Sequence, residues 1–231
     1  MPFPEPQLQA TFLGRPQRFL AEMVLSEGTK TVAYCPNPGS LAGCLQAGSP
    51  ALLWDSEDPK RKRRYTLRAV AFQGVWLGTD THLANTLVER ALLQRRIPGL
   101  DCYETLEREK GVSKGHRVDF LLTGSEGLCF VEVKSATVVE KGVARFPDSI
   151  TPRGLKHLEG LTKKAKEGHR VVLLYLIQRG DAESFTISKT CYPVYAKAFK
   201  KALKAGVEAL ALAVPVSSKG FGQPGLLPLE L

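Results

Sequence analysis

Three side chains in the second half of this chain have the types and spacing for metal-assisted chemistry on a phosphate. Glu132 stands in Phe130-Val131-Glu132-Val133-Lys134. The two-residue period of a strand puts Phe130, Glu132 and Lys134 on one face and Val131 and Val133 on the other. Asp119 interrupts a second apolar strand, Arg117-Val118-Asp119-Phe120-Leu121-Leu122, and the link from Thr123 to Gly127 is short enough for a hairpin that sets Asp119 beside Glu132. Burying ionised groups costs several kcal/mol unless something compensates. A divalent cation would do so: two carboxylates offer hard oxygen ligands to Mg²⁺ or Mn²⁺, which keep several waters and share their shell with phosphate. Such a site makes bound water easier to deprotonate and polarises phosphoryl oxygens. Lys134 is placed to orient the water or to meet charge developing on the phosphate. Glu89, on a predicted helix beside the sheet, is a third acid that can complete the shell directly or through water. The expected catalytic set is Asp119, Glu132 and Lys134, and the expected metal ligands are Asp119, Glu132 and Glu89. The competing structural account is a Glu132–Lys134 or Arg117–Glu132 ion pair on a solvent-facing sheet.

Two segments offer anion contacts. Lys60-Arg61-Lys62-Arg63-Arg64 are five adjacent cations, read either as a solvated hairpin loop or as a phosphate-contacting finger whose binding is salt-dependent. In the connection from Arg145 to Leu158, Thr151 can cap a helix whose first-turn amides suit an anion, with Arg153, Lys156 and His157 beside it. The plainer alternative makes Asp148 and Thr151 capping residues and His157 a packed surface imidazole. Lysines 156, 163, 164 and 166, and 197, 200, 201 and 204, form further basic faces. His82, His116 and His169 stand singly and receive no catalytic role.

These groups need elements to hold them. The chain has 231 residues, 43% of them hydrophobic, and a net charge of +9, which describes a folded basic protein of one large or two small domains. Through Asp80 it carries nine basic and seven acidic residues, so most of the excess charge lies after that point. From Thr11 to about Asp80 short alternating segments are divided by turn chemistry such as Pro36-Asn37-Pro38-Gly39-Ser40, the pattern of a small β-barrel. A five-stranded barrel of the oligonucleotide-binding (OB) type fits this length, and an SH3-like barrel is the alternative. After Asp80 the order reads α-β-β-β-α-β-α, then a final strand over residues 207–214: a mixed α/β sheet with helices on its faces. Thr81 is the expected cap of the first helix and Pro98-Gly99 its end; Thr151-Pro152 open the second. The predicted division is 1–80 and 81–231.

Several classes are excluded or disfavoured. No apolar run approaches the roughly 20 residues needed to span a bilayer, and the start, Met1-Pro2-Phe3-Pro4-Glu5-Pro6, lacks the features of a secretory signal. A cytoplasmic protein with no membrane partner is expected. Five scattered cysteines without a Cys-x-x-Cys pair argue against a disulfide framework or a zinc site. Neither standard glycine-rich phosphate loop is present, which ranks a nucleotide or sugar-metabolite binder low.

The chain also resembles the sugar fermentation stimulation protein A (SfsA) family of bacteria and archaea over nearly its whole length. The resemblance is carried by Arg18-Phe19-Leu20-Ala21, Cys35-Pro36-Asn37-Pro38-Gly39-Ser40-Leu41 with Gly43-Cys44, Ala84-Asn85 with Glu89-Arg90-Ala91, Arg117 to Leu122, Val131-Glu132-Val133-Lys134-Ser135, Phe146-Pro147-Asp148 with Thr151, Arg153-Gly154 and Lys156-His157-Leu158, and Ala205-Gly206-Val207-Glu208. It implies an N-terminal OB-like barrel joined to a domain similar to the PD-(D/E)xK nucleases, in a protein associated with DNA binding and regulation of sugar metabolism. By that similarity Asp119, Glu132 and Lys134 occupy the nuclease motif and Glu89 is the helix acid. Two departures are His116, where the family often shows Ser, and Tyr192-Pro193, where an acid before the last helix is usual. Neither touches the carboxylate pair.

Together these readings give a DNA-binding protein with a nuclease-like Mg²⁺ site able to hydrolyse phosphodiesters. Its alternative is a non-catalytic DNA-binding transcriptional regulator that retains an inherited metal pocket. Single- or double-stranded DNA as partner, and a homodimer, stay open at this level.

Overall fold

The computed structural model describes residues 1–113 and 116–231, with the side chains of 112–116 outside the description. The first half holds β1 (Gln7–Gln17), β2 (Leu20–Leu25), β3 (Lys30–Tyr34), β4 (Pro50–Asp55), β5 (Tyr65–Phe72) and β6 (Val75–Gly78). Strand β1 pairs with both β2 and β4, β2 with β3, β3 with β5, and β5 with β4, which closes five strands into an OB-like barrel. Closure removes the unpaired edges that an open sheet of this size would expose. Phe12, Met23, Leu53, Leu67, Val70 and Leu77 fill its interior.

The second half begins with α1 (His82–Leu93), followed by β7 (Thr105–Ser113), β8 (His116–Gly124), β9 (Gly127–Ser135), β10 (Val138–Glu140) and β11 (Val143–Phe146). Then come α2 (Pro152–Lys166), β12 (Arg170–Ile177), β13 (Ser184–Ile187), α3 (Pro193–Lys204), β14 (Val207–Ala213), β15 (Val216–Ser217), β16 (Gly220–Phe221) and β17 (Gly225–Leu227). The central sheet runs β17-β14-β12-β9-β8-β7, with β9, β12 and β14 parallel and the remainder antiparallel. Strand β12 is buried almost throughout, as its unbroken apolar run requires of a strand covered on both faces. One face carries α1, through Leu87, Val88 and Ala91 against Phe120, Val131 and Val133. The other carries α2 and α3, through Leu158, Leu161, Tyr195 and Phe199 against Phe130, Leu173 and Tyr175.

The two halves share a core. Leu52 and Ala69, paired across β4 and β5, belong to the same apolar cluster as α1, so the outer barrel wall is also the floor beneath that helix. Strands β15 and β16 join β6, returning the C-terminal segment to the barrel sheet.

Some local signals act differently from expectation. Thr81 makes no capping bond; its hydroxyl donates to the Pro36 carbonyl at 2.6 Å, and the free His82 amide is taken up by Asp80 instead. The helix stops at Leu93, with Arg95 at a φ of 53°, before Pro98-Gly99 is reached. Thr151 does cap α2, accepting from the Gly154 amide at 3.2 Å, with Pro152 in the first turn. The five cysteines are free thiols. Among the described residues, no helix is long and apolar enough to cross a membrane.

Candidate functional site

Strands β8 and β9 form a tight ladder from Gly124↔Gly127 to Phe120↔Val131. Asp119 is the next residue beyond that last pair, and its carboxylate takes the place of a strand partner. Oδ2 accepts the Val133 amide at 2.7 Å, and Oδ1 accepts the Asn85 side-chain amide from α1 at 2.7 Å. A carboxylate fixed from two elements has little rotamer freedom left to lose on binding a ligand. Burial pushes the Asp119 carboxyl above its usual range, the negative charge of Glu132 adds to the rise, and the two hydrogen bonds oppose it.

Glu132 sits one residue before the amide that Asp119 holds, 2% exposed. The predicted alternation is present: Val131 and Val133 pack toward α1 while Phe130 packs toward α2 and α3. Lys134 donates to Glu132 Oε1, and His157 Nδ1 lies 2.5 Å from the same oxygen. Burial favours the neutral acid, but the His157 hydrogen bond and the Lys134 ammonium outweigh it and hold the Glu132 carboxyl below its ordinary value. The other oxygen, Oε2, is buried with no hydrogen-bond partner. The Glu132–Lys134 contact anticipated as a surface pair is therefore internal, with the two side chains 3% and 15% exposed. Arg117 turns instead to Glu109, at 3.6 Å.

Asp119 and Lys134 line a cleft of about 430 Å³. One wall is the barrel, with Arg18, Asn37, Pro38 and Gly39; the other runs from Pro147 through Ile150 to Arg153 at the start of α2. Asp148 joins the walls, accepting the Leu41 amide and the Ser40 hydroxyl at 3.3 Å each. Arg15 braces the barrel wall. Its guanidinium donates to the carbonyls of Arg18, Asn37, Gly39 and Ser40, the last three on one loop.

The predicted residues thus divide. Asp119, Glu132, Lys134 and His157 come together, with Arg153 at the cleft and its Nε 3.4 Å from His157 Nε2. His157, read from sequence as part of an anion seat, is placed against Glu132. Lys156 is exposed on α2. Glu89 is ion-paired with Arg108 at 3.3 Å, and among the described residues no group of three or more acidic, His or Cys side chains is set to hold a metal. Lys60 to Arg64 form the loop between β4 and β5. Arg64 there is bound to Asp55 through both carboxylate oxygens, and Arg61 lies over the Trp54 ring. Sequence reasoning gave no role to Asn85 or Arg15. Asn85 lies in a string shared with the family, four residues before Glu89 on the same helix face, the one sequence signal that could have found it.

The fold defines a two-part protein, a closed OB-like barrel followed by a mixed α/β domain that shares its core. Residues 13–79 match the profile of the SfsA N-terminal OB domain, and residues 82–220 match that of the sugar fermentation stimulation protein RE domain. The chain belongs to the sugar fermentation stimulation protein family. A homolog from Rhizobium meliloti (strain 1021) is 43% identical over 219 residues, covering 94% of this chain and 92% of the relative. One from Citrifermentans bemidjiense is 40% identical over the full length of both. A solved structure of Pyrococcus furiosus SfsA in complex with Ca²⁺ is similar with a TM-score of 0.91 and 28% identity, over 100% of this chain and 98% of that one.

Proposed function

We propose that this chain binds DNA and, with Mg²⁺ or Mn²⁺, hydrolyses phosphodiester bonds at the cleft where Asp119 and Lys134 meet. The observation that carries the reading is Glu132 Oε2, a buried carboxylate oxygen with no partner, whose charge also pushes up the carboxyl of a second acid, Asp119. An anionic oxygen removed from water without a partner is costly, and a hard cation is the compensation that oxygen ligands favour. Asp119 and Glu132 are the residues that would hold it, a set sufficient for Mg²⁺, which commonly takes one or two carboxylates and completes its shell with water and phosphate. Glu89, held by Arg108, has no part in this set as the side chains stand. The Ca²⁺ in the Pyrococcus furiosus relative supports an oxygen-ligand dication site within the family.

When bound, the cation would supply a more acidic water and a polarised phosphoryl oxygen. The chain's own groups do the rest. Asn85 and the Val133 amide fix Asp119. Lys134 presents an ammonium to the cleft, where it meets the charge that grows on a phosphate in the transition state. Arg153 binds and orients a flanking phosphate. The family name ties the relatives to sugar fermentation, and DNA binding is the activity through which a regulatory role would act.

Thermal melting with Mn²⁺, paired with a strand-scission assay, tests the reading. The wild type should gain stability as Mn²⁺ rises, by mass action on the folded state. Glu132→Gln should lose that gain, and Lys134→Met should keep it while losing cleavage. Absence of Mn²⁺- or Mg²⁺-dependent scission in wild type, with Asp119→Ala and Glu132→Ala binding DNA normally, leaves the non-catalytic regulator in its place.

A further inference from the structure

The cleft is bounded by the barrel on one side and the α/β domain on the other, so whatever meets Asp119 and Lys134 also meets the barrel lip. Two features of that lip are unused by the chemistry described above. Arg18 lines the cleft, and among the described residues its guanidinium has no hydrogen bond or ion pair. The next residue in sequence, Phe19, stands outside the lining of the cleft; it is 42% exposed, an unusual position for a phenyl ring, and its ring centroid lies 6.3 Å from that of Tyr34. Tyr34 leads directly into the Pro36–Gly39 loop that lines the cleft. On the opposite lip Ile150 is 70% exposed and also lines the cleft.

The lip is built in place. Arg15 donates to the Arg18 carbonyl as well as to three carbonyls of the 37–40 loop, which ties the β1–β2 turn to that loop. Asp148 ties the loop in turn to the far wall. A surface held this rigidly presents its exposed groups without a large ordering cost on binding. An exposed phenyl ring next to an uncommitted guanidinium matches one ligand chemistry closely: an unpaired nucleotide, whose base stacks on a ring while its phosphate meets a cation. A duplex fits poorly. Its bases are already stacked and paired, so none is free to lie on the ring, whereas one unpaired nucleotide suits a cleft of about 430 Å³, within the volume range of pockets for small ligands.

We infer that the cleft takes a single-stranded segment of DNA, with Phe19 as the stacking platform at the barrel lip, and with Arg18 and Arg153 contacting phosphates on either side of the nucleotide presented to Asp119 and Lys134. This rests on the phosphodiesterase reading and adds the class of substrate to it.

The test is fluorescence anisotropy in EDTA, where no cleavage occurs, using a labelled short oligothymidylate and a blunt duplex of the same length, with thermal melts confirming that each variant is folded. Wild type should bind the oligothymidylate about tenfold more tightly than the duplex. Phe19→Ala and Arg18→Ala should each weaken the single strand by about tenfold, the range expected for one base stack, and Phe19→Trp should restore binding. Both side chains are at the surface, so folding is not at stake. Equal or tighter binding of the duplex overturns the inference, as does an unchanged single-strand affinity in both variants. If metal-dependent cleavage of duplex persists in that case and is lost in Asp119→Ala, the phosphodiesterase reading stands and only the substrate class falls. Failure to bind either DNA overturns both.

Discussion

A methyl group on Gly39 would lie 2.5 Å from the Asp148 Oδ2 atom, closer than a real side-chain carbon approaches an oxygen. The glycine is therefore required by the far wall of the cleft and not by its own backbone, since its φ is not in the left-handed region. Asp148 cannot simply swing away, because the same oxygen accepts the Leu41 amide and the Ser40 hydroxyl, and its carbonyl accepts Ser40 at 3.0 Å. The barrel loop and the strand-to-helix connection of the second domain are thus fitted to each other at one atom.

Gly39→Ala should accordingly destabilise the protein by about 1–2 kcal/mol, the usual net worth of one or two displaced hydrogen bonds. Asp148→Ser should cost a similar amount alone, because it removes the acceptor. The double variant should cost less than the sum, since the serine leaves room for the new methyl group. Chemical denaturation of the four proteins measures this coupling. Strict additivity would mean that the two residues do not constrain each other.

That junction also shows where the sequence was informative and where it was not. The Glu132 strand, the Thr151 cap and the apolar β12 were legible because each is a local pattern: alternation, a capping hydroxyl before proline, an unbroken apolar run. The closed barrel was legible as a class from its turn residues. Strands β10, β11 and β13 were not read, because they are three or four residues long; β10 and β11 form a short hairpin, and β11 owes its other pairing to β13, about forty residues away. The link between His157 and Glu132 was also hidden. In the sequence the histidine is one polar residue among several near a helix start, and only the crossing of α2 over β9 brings its Nδ1 to a carboxylate 25 residues earlier. Asp119 was recognised as an acid in a strand, whereas its fixing by Asn85 depends on how α1 lies on the sheet.

The basic loop between β4 and β5 separates into two kinds of cation. Lys60, Arg61, Lys62 and Arg63 point their charge into a loop that is mostly exposed, while Arg64 is spent on Asp55 at 2.7 and 2.6 Å. If the loop neutralises phosphates, replacing the first four residues by Gln should lower the slope of log affinity against log salt by about 3, at somewhat less than one unit per phosphate contact. Arg64→Gln should leave that slope nearly unchanged and lower the melting temperature instead. A titration of DNA affinity over a range of salt, run on both variants, decides the matter; an unaltered slope in the four-residue variant would return the loop to the role of a solvated turn.

Asp55 gives the same pair a pH dependence. Its carboxylate receives two hydrogen bonds from Arg64, which hold it below the ordinary value against the opposing effect of burial, and the Glu57 amide adds a third at 2.9 Å. The folded pKa is thus lower than the unfolded one, so the folded state binds its proton less readily. The stabilisation is present above the unfolded carboxylate value of about 3.9 and is lost as pH falls through the folded value, where both states are protonated. Arg64 is 58% exposed, so solvent screening keeps the contribution modest. Wild type should therefore melt above Asp55→Asn at neutral pH, and the difference should shrink steadily as the buffer is taken below about pH 4. High salt at neutral pH should shrink it as well, since the ion pair lies at the surface on its arginine side. Melting curves of the two proteins across acid pH, at low and high salt, measure both trends; a difference that stays constant from neutral to strongly acid conditions would show that the asparagine variant loses packing and not an ionised partner.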